Sequence, residues 1–170
     1  MENSPSASRV AIPLARFLLT NHCPPQWKRL NLYLFRDSHN VFYVGQSYCA
    51  YSRVWEHLMS GFKGHSIMGH FIWCNWPAAM HFTVELMDSQ DAEFACVNHE
   101  LDAAERLLIH RYAPVFNISL NEEPRPVPEG YRPVNGPLTC PRSWSRIIHE
   151  AERMAKAQEE REWKKHLQEN

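Results

Sequence analysis

Apolar and polar positions along this chain change period several times, and each change marks an element. Residues 30–35 are rich in Leu, Tyr and Phe and read as a strand. Positions 36–40 (Arg-Asp-Ser-His-Asn) carry turn chemistry, and 41–44 are again β-branched and aromatic. Two such runs across such a turn predict a β-hairpin. Gly45 ends the second strand where the chain turns or passes close to another backbone. Over 50–60, Tyr51, Val54, Trp55 and Leu58 recur at helical spacing. Arg53 and His57, four residues apart, share a face, which the periodicity sets opposite that stripe. Another helix is predicted over 66–75, with Ile67, Phe71 and Cys74 as its apolar side and Pro77 beyond its end. Met80, Phe82, Val84 and Leu86 then alternate with His81, Thr83 and Glu85, the pattern of a half-buried strand.

The stretch 94–112 predicts one long helix, capped by Ser89 or Asp91, with Phe94, Val97, Leu101, Ala104, Leu108, Ile109 and Tyr112 on its apolar face. Glu105 falls within about 40° of the centre of that face. A carboxylate inside an apolar stripe is costly unless it is paired or binds a metal. Two readings follow: an ion pair with an arginine such as Arg53, or a metal ligand.

The flanks are of a different character. Residues 1–9 are polar and Ser-rich, and 12–20 predict a short helix stopped by Asn21-His22 and Pro24-Pro25. Pro124, Pro126, Pro128, Pro133, Pro137 and Pro141 forbid a regular helix over 121–141 and predict an extended arm packed on the core, or a linker. Arg125, Arg132 and Arg142, with Tyr131, either contact nucleic acid there or belong to a solvated arm. A last helix is predicted from Ser143, capped by it or by Ser145, with Trp144, Ile147, Ile148, Ala151, Met154 and Ala155 on its apolar face. Beyond Lys156 the stripe fades into mixed charge, leaving Trp163 and Leu167 on a solvated end or at a contact with a second copy or another protein. The element order β-β-α-α-β-α predicts an α+β fold, a small three-stranded antiparallel sheet flanked by helices. The expected segments are an N-terminal extension with a short helix (1–29), a central domain (30–120), the Pro-rich arm (121–142) and a charged C-terminal helix (143–170).

Tyr33, Tyr43-Val44-Gly45, Arg53, His57, Glu105 and Asn117 stand in an order and spacing that resemble the GIY-YIG nuclease family. The resemblance covers about residues 30–117, roughly half the chain. Six matched positions in order make it specific, where a lone Tyr-Val-Gly would mean little. Asn31-Leu32 replaces the leading Gly-Ile of the family's first motif. The resemblance implies a DNA endonuclease that hydrolyses phosphodiester bonds with one divalent cation, Mg²⁺ or Mn²⁺, held by Glu105. It implies that Arg53 neutralises charge on the phosphate, that Tyr43 activates the attacking water with help from His57, and that Tyr33 orients water or phosphate. By the same resemblance Gly45 and Asn117 support the site, with Asn117 a structural clamp after the helix. His65, in Gly64-His65-Ser66, would face the cleft from a helix start.

Composition adjusts this picture. The 170 residues suffice for one domain plus extensions. The net charge of −1 argues against tight, nonspecific DNA binding by this chain alone, and it motivates a second reading, a catalytically inactive nucleic-acid or protein-binding module. No run is long enough to span a bilayer, and Pro13 and Arg16 interrupt the only apolar stretch near the start, so no secretory pattern is read. Five scattered cysteines without a Cys-x-x-Cys pair suit reduced thiols in a cytoplasm. His65, His70 and Cys74 share helical spacing but lack the paired spacing of zinc ligands.

Overall fold

The turn at 36–40 is held by Asp37, whose Oδ1 accepts the backbone N–H groups of His39 (2.7 Å) and Asn40 (2.6 Å). It joins β2 (Leu32–Arg36) to β3 (Val41–Gln46) as the antiparallel hairpin. The computed structural model describes residues 8–134 and 143–169. Within it the fold is α+β with an antiparallel sheet, of four strands rather than three, in the order β1-β4-β2-β3. The added strand is β1 (Arg9–Pro13), which pairs with β4 (Thr83–Met87). The helix expected over 12–20 shrinks to α1 (Leu14–Leu18). Pro13 closes β1 at a sheet edge, where its missing N–H costs no ladder bond.

Helices cover both faces of the sheet. On one side α1, α2 (Ala50–Phe62), α3 (Ile67–Cys74) and α5 (Trp144–Glu169) enclose a core that includes Phe17, Tyr33, Phe35, Phe42, Phe71, Phe82 and Ile147. On the other, α4 (Leu101–Tyr112) lays Ala104, Leu108 and Ile109 on Leu32, Leu34, Val44 and Met87. This double cover corrects the half-buried reading of β4. Val84, Glu85, Leu86 and Met87 are all buried, and Met80 lies in a 3-10 turn (Ala78–His81) before the strand. Glu85 is only 3 % exposed and is tolerated because Arg9 and Arg36 pair with it from the neighbouring strands.

The long helix expected over 94–112 is broken. Residues Ala92–Val97 form a 3-10 turn capped by Asp91. Asn98 and His99 take left-handed backbone (φ 55° and 58°), and α4 starts at Leu101. Asn is among the few residues that adopt this conformation readily, and it ends helices as glycine does. In α3, Ser66 caps by accepting the Gly69 N–H (3.1 Å); Phe71 is buried, but Ile67 is exposed, so the apolar side expected there is rotated. Gly69 lets α3 press against α2, since any side chain there would collide with the His57 carbonyl.

The arm packs on the core through its described part. The Tyr131 hydroxyl donates to Asp37 Oδ2 (2.7 Å), and its ring meets Phe42, Phe71 and Phe82 edge-on. Asn75 grips Arg132 through both its backbone groups, at 2.7 and 3.0 Å. Arg142, Cys140, Pro137, Pro141 and the polar start at 1–7 lie outside the described residues. Ser143 caps α5 by accepting the Arg146 N–H. Ile147, Ala151 and Ala155 bury the helix against the core, and Arg16 of α1 reaches Glu159 and Glu162 at 3.6 and 3.7 Å. Past that point Trp163 and Leu167 are exposed. No helix among the described residues is long and apolar enough to cross a membrane.

Candidate active site

The candidate residues gather around β3, an edge strand. A bulge shapes this edge: Phe35 pairs with Tyr43 but Arg36 with Val41, which leaves Phe42 as an extra residue. Phe42 therefore enters the core while Tyr43 keeps the face of its partner Phe35 and stacks on Tyr33, the re-aiming for which bulges recur near sites. Tyr33 pairs across the hairpin with Gly45, and its ring occupies the space that a Gly45 side chain would need. Outside β3, the Asn117 amide replaces a missing strand. Its Oδ1 accepts from Val44 N–H (2.9 Å) and its Nδ2 donates to Val44 O (2.8 Å).

His57 corrects the face expected of it. It is 8 % exposed and turns into the core beside Leu58, whereas Arg53 stays on the surface paired with Glu56. The helix stripe is wider than the apolar residues alone indicate, because both ring nitrogens of His57 find partners inside. Nε2 lies 2.8 Å from the Tyr33 hydroxyl, and Nδ1 lies 2.7 Å from Ser66 Oγ. The three rings of Tyr33, Tyr43 and His57 have centroids 5.1–6.2 Å apart. Tyr33 thus sits against both His57 and Tyr43, and the hydroxyl bonded to His57 is that of Tyr33 rather than Tyr43.

The electrostatics follow from burial. Desolvation, then the Arg53 charge, pushes the His57 pKa down to about 4, so the ring is neutral at neutral pH. Burial, then the neighbouring Tyr43, pushes the Tyr33 phenol well up, against the pull of Arg53. A phenol held protonated is a donor, so the tautomer with Nδ1–H on Ser66 Oγ leaves Nε2 to accept from Tyr33. Tyr43 is also raised, by burial and then by Glu105, with Arg53 and Tyr33 acting the other way.

Glu105 is half-buried on α4 and faces Tyr43 across a cleft of about 310 Å³, which Ile109, Phe116, Asn117 and Ile118 also line. Its partner is Gln46, whose amide donates to Glu105 Oε2 (3.1 Å) and also to Asp102. Burial, then repulsion from Asp102, raises the Glu105 pKa. Among the described residues no group of three or more His, Cys, Asp or Glu side chains gathers. A hard divalent cation that keeps most of its waters suits this donor set, one desolvated carboxylate that a positive charge would relieve. His65 is exposed, and the helix-start residue that reaches the site is Ser66. Arg125 and Arg132 are exposed on the arm. Sequence reasoning passed over Ser66 and Gln46. A serine before a helical run signals a cap, and Gln46, paired with Leu32, is the polar end of the face that α4 covers.

No family model matches the chain, and no curated protein or solved structure matches it.

Proposed function

We propose that this chain is a divalent-metal-dependent DNA endonuclease of the GIY-YIG type. The observation that carries the reading is the convergence of two tyrosines, a buried neutral histidine, an arginine and a desolvated carboxylate on one strand edge. Tyr43, which lines the cleft, contacts the attacking water. A phenol with a raised pKa is a poor base by itself, so it must pass its own proton on as it takes one. Tyr33 stands beside it to receive that proton, and the neutral His57 Nε2, too weak a base to keep one, orients the Tyr33 hydroxyl by accepting its hydrogen bond. Ser66 fixes the imidazole, and Asn117 and Gly45 hold the strand and the tyrosine in place. Arg53 offsets the charge that builds on the phosphate. Glu105 would hold Mg²⁺ or Mn²⁺, which when bound polarises the phosphate and stabilises the leaving oxygen. A single site cuts one strand, and the surface offered for a second copy is the exposed Trp163 and Leu167 of α5.

The test is conversion of supercoiled plasmid with Mg²⁺ or Mn²⁺, beside EDTA and Glu105→Ala controls. Metal-dependent nicking lost in the variant is expected. Folded wild-type protein that cuts neither plasmid, single strands nor branched DNA refutes the enzyme and leaves the binding module.

A further inference from the structure

Residues 20–30 lie across the first turn of α2. The Tyr51 hydroxyl donates to Thr20 O, the Tyr51 and Trp27 ring centroids are 6.3 Å apart, and Ala50 N–H donates to Leu30 O at 2.9 Å. Cys23 lies in the chain between Thr20 and Trp27, and Cys49 immediately precedes Ala50, so these contacts bracket both thiols. Each thiol is half-exposed and free. Cys49 Sγ accepts from Ser52 Oγ at 3.4 Å, and Cys23 Sγ lies 3.6 Å from Pro24 O. Burial raises the Cys49 pKa, but hydrogen bonds from Ser52 and from Cys23 outweigh it and leave the thiol more acidic than usual. Burial and then the charge of Cys49 push Cys23 the other way. The contacts at Thr20, Trp27 and Leu30 thus bring the segment of Cys23 across the start of α2, where Cys49 stands, and the two thiols are unequal: Cys49 is the readier to attack, Cys23 to resolve.

We propose that Cys23 and Cys49 form a reversible intramolecular disulfide, an oxidation site at the start of the helix that carries Arg53. With glutathione disulfide as oxidant, the Cys49 thiolate attacks one of its sulfurs and releases one glutathione thiolate, leaving a mixed disulfide. The Cys23 thiol then attacks Cys49 Sγ; the second glutathione leaves and takes the proton. Two protein thiols are oxidised, and one glutathione disulfide is reduced to two glutathiones. The bond would pin the turn in which Arg53 N–H donates to Cys49 O at 3.1 Å. The inference stands apart from the nuclease reading, since it needs neither DNA nor metal.

The experiment treats the full chain with glutathione disulfide, alkylates the remaining thiols and maps the peptides. The expected result is a Cys23–Cys49 linked peptide that dithiothreitol releases, with Cys74 and Cys96 still alkylated. Cys23→Ser is expected to stop at a stable glutathione adduct on Cys49. Alkylation of Cys23 and Cys49 undiminished by the oxidant overturns the proposal, as does a link from either one to Cys140 in place of the pair.

Discussion

His57 offers the sharpest physical test, because its burial makes stability depend on pH in a narrow window. In the folded protein it titrates at about 4, against an ordinary value of 6.5. As pH falls below 6.5 the unfolded chain takes up a proton on His57 that the folded chain refuses until about 4. Stability contributed by the neutral ring is thus full above pH 6.5, declines through the window and is gone below 4. At 1.36 kcal/mol per pH unit the whole decline is about 3 kcal/mol, a large share of a small domain's stability. The comparison is wild type against His57→Gln, whose amide can still meet Tyr33 and Ser66 but cannot titrate. Urea unfolding at steps from pH 7 to pH 4.5 gives both curves. Carboxylates such as Asp37, which lie below their usual range, affect both proteins alike and cancel. Wild type is expected to lose about 2 kcal/mol more than the variant by pH 5. Parallel curves would show that the ring is solvated and charged in the folded state, and the neutral-acceptor role of His57 would fall with it.

Gly45→Ala places a methyl against the Tyr33 hydroxyl; unfolding measurements should show a loss of about 1–3 kcal/mol, and Tyr33 should part from His57. Asn117→Ala leaves the Val44 N–H and C=O without partners, and chemical denaturation should register about 1–3 kcal/mol. Glu105→Gln removes a carboxylate that burial and Asp102 disfavour, so the metal-free variant should melt no lower than wild type, with a gain below about 1 kcal/mol, while metal-dependent cutting disappears.

The hairpin, α2 and the antiparallel α+β arrangement were legible because their periodicity and turn residues agree. The local signals misled where tertiary partners decide. Arg9 to Pro13 is too short and too mixed to announce a strand, and it becomes one only by pairing with a segment seventy or more positions away. The break at Asn98-His99 is a backbone conformation that a helical stripe, read as a sum of side chains, overrides. His57 looked solvated because polarity stood in for exposure, whereas two buried hydroxyls make the ring's burial tolerable. The approach of Cys23 to Cys49 depends on how residues 20–30 cross α2, which no spacing rule encodes.

The sheet order has a consequence for how the protein is made. The strand synthesised last, β4, is an inner one: it must slot between β1 and β2. While a ribosome is still extending the chain short of Met87, the β2–β3 hairpin can close by itself, but β1 has no mate and β2 keeps an open flank. The nascent chain then carries two unpaired strand borders, the species most prone to join a neighbouring chain. Completion of the sheet is thus a late, all-at-once event, and Glu85 arrives with β4 to receive Arg9 and Arg36, which have waited on either side.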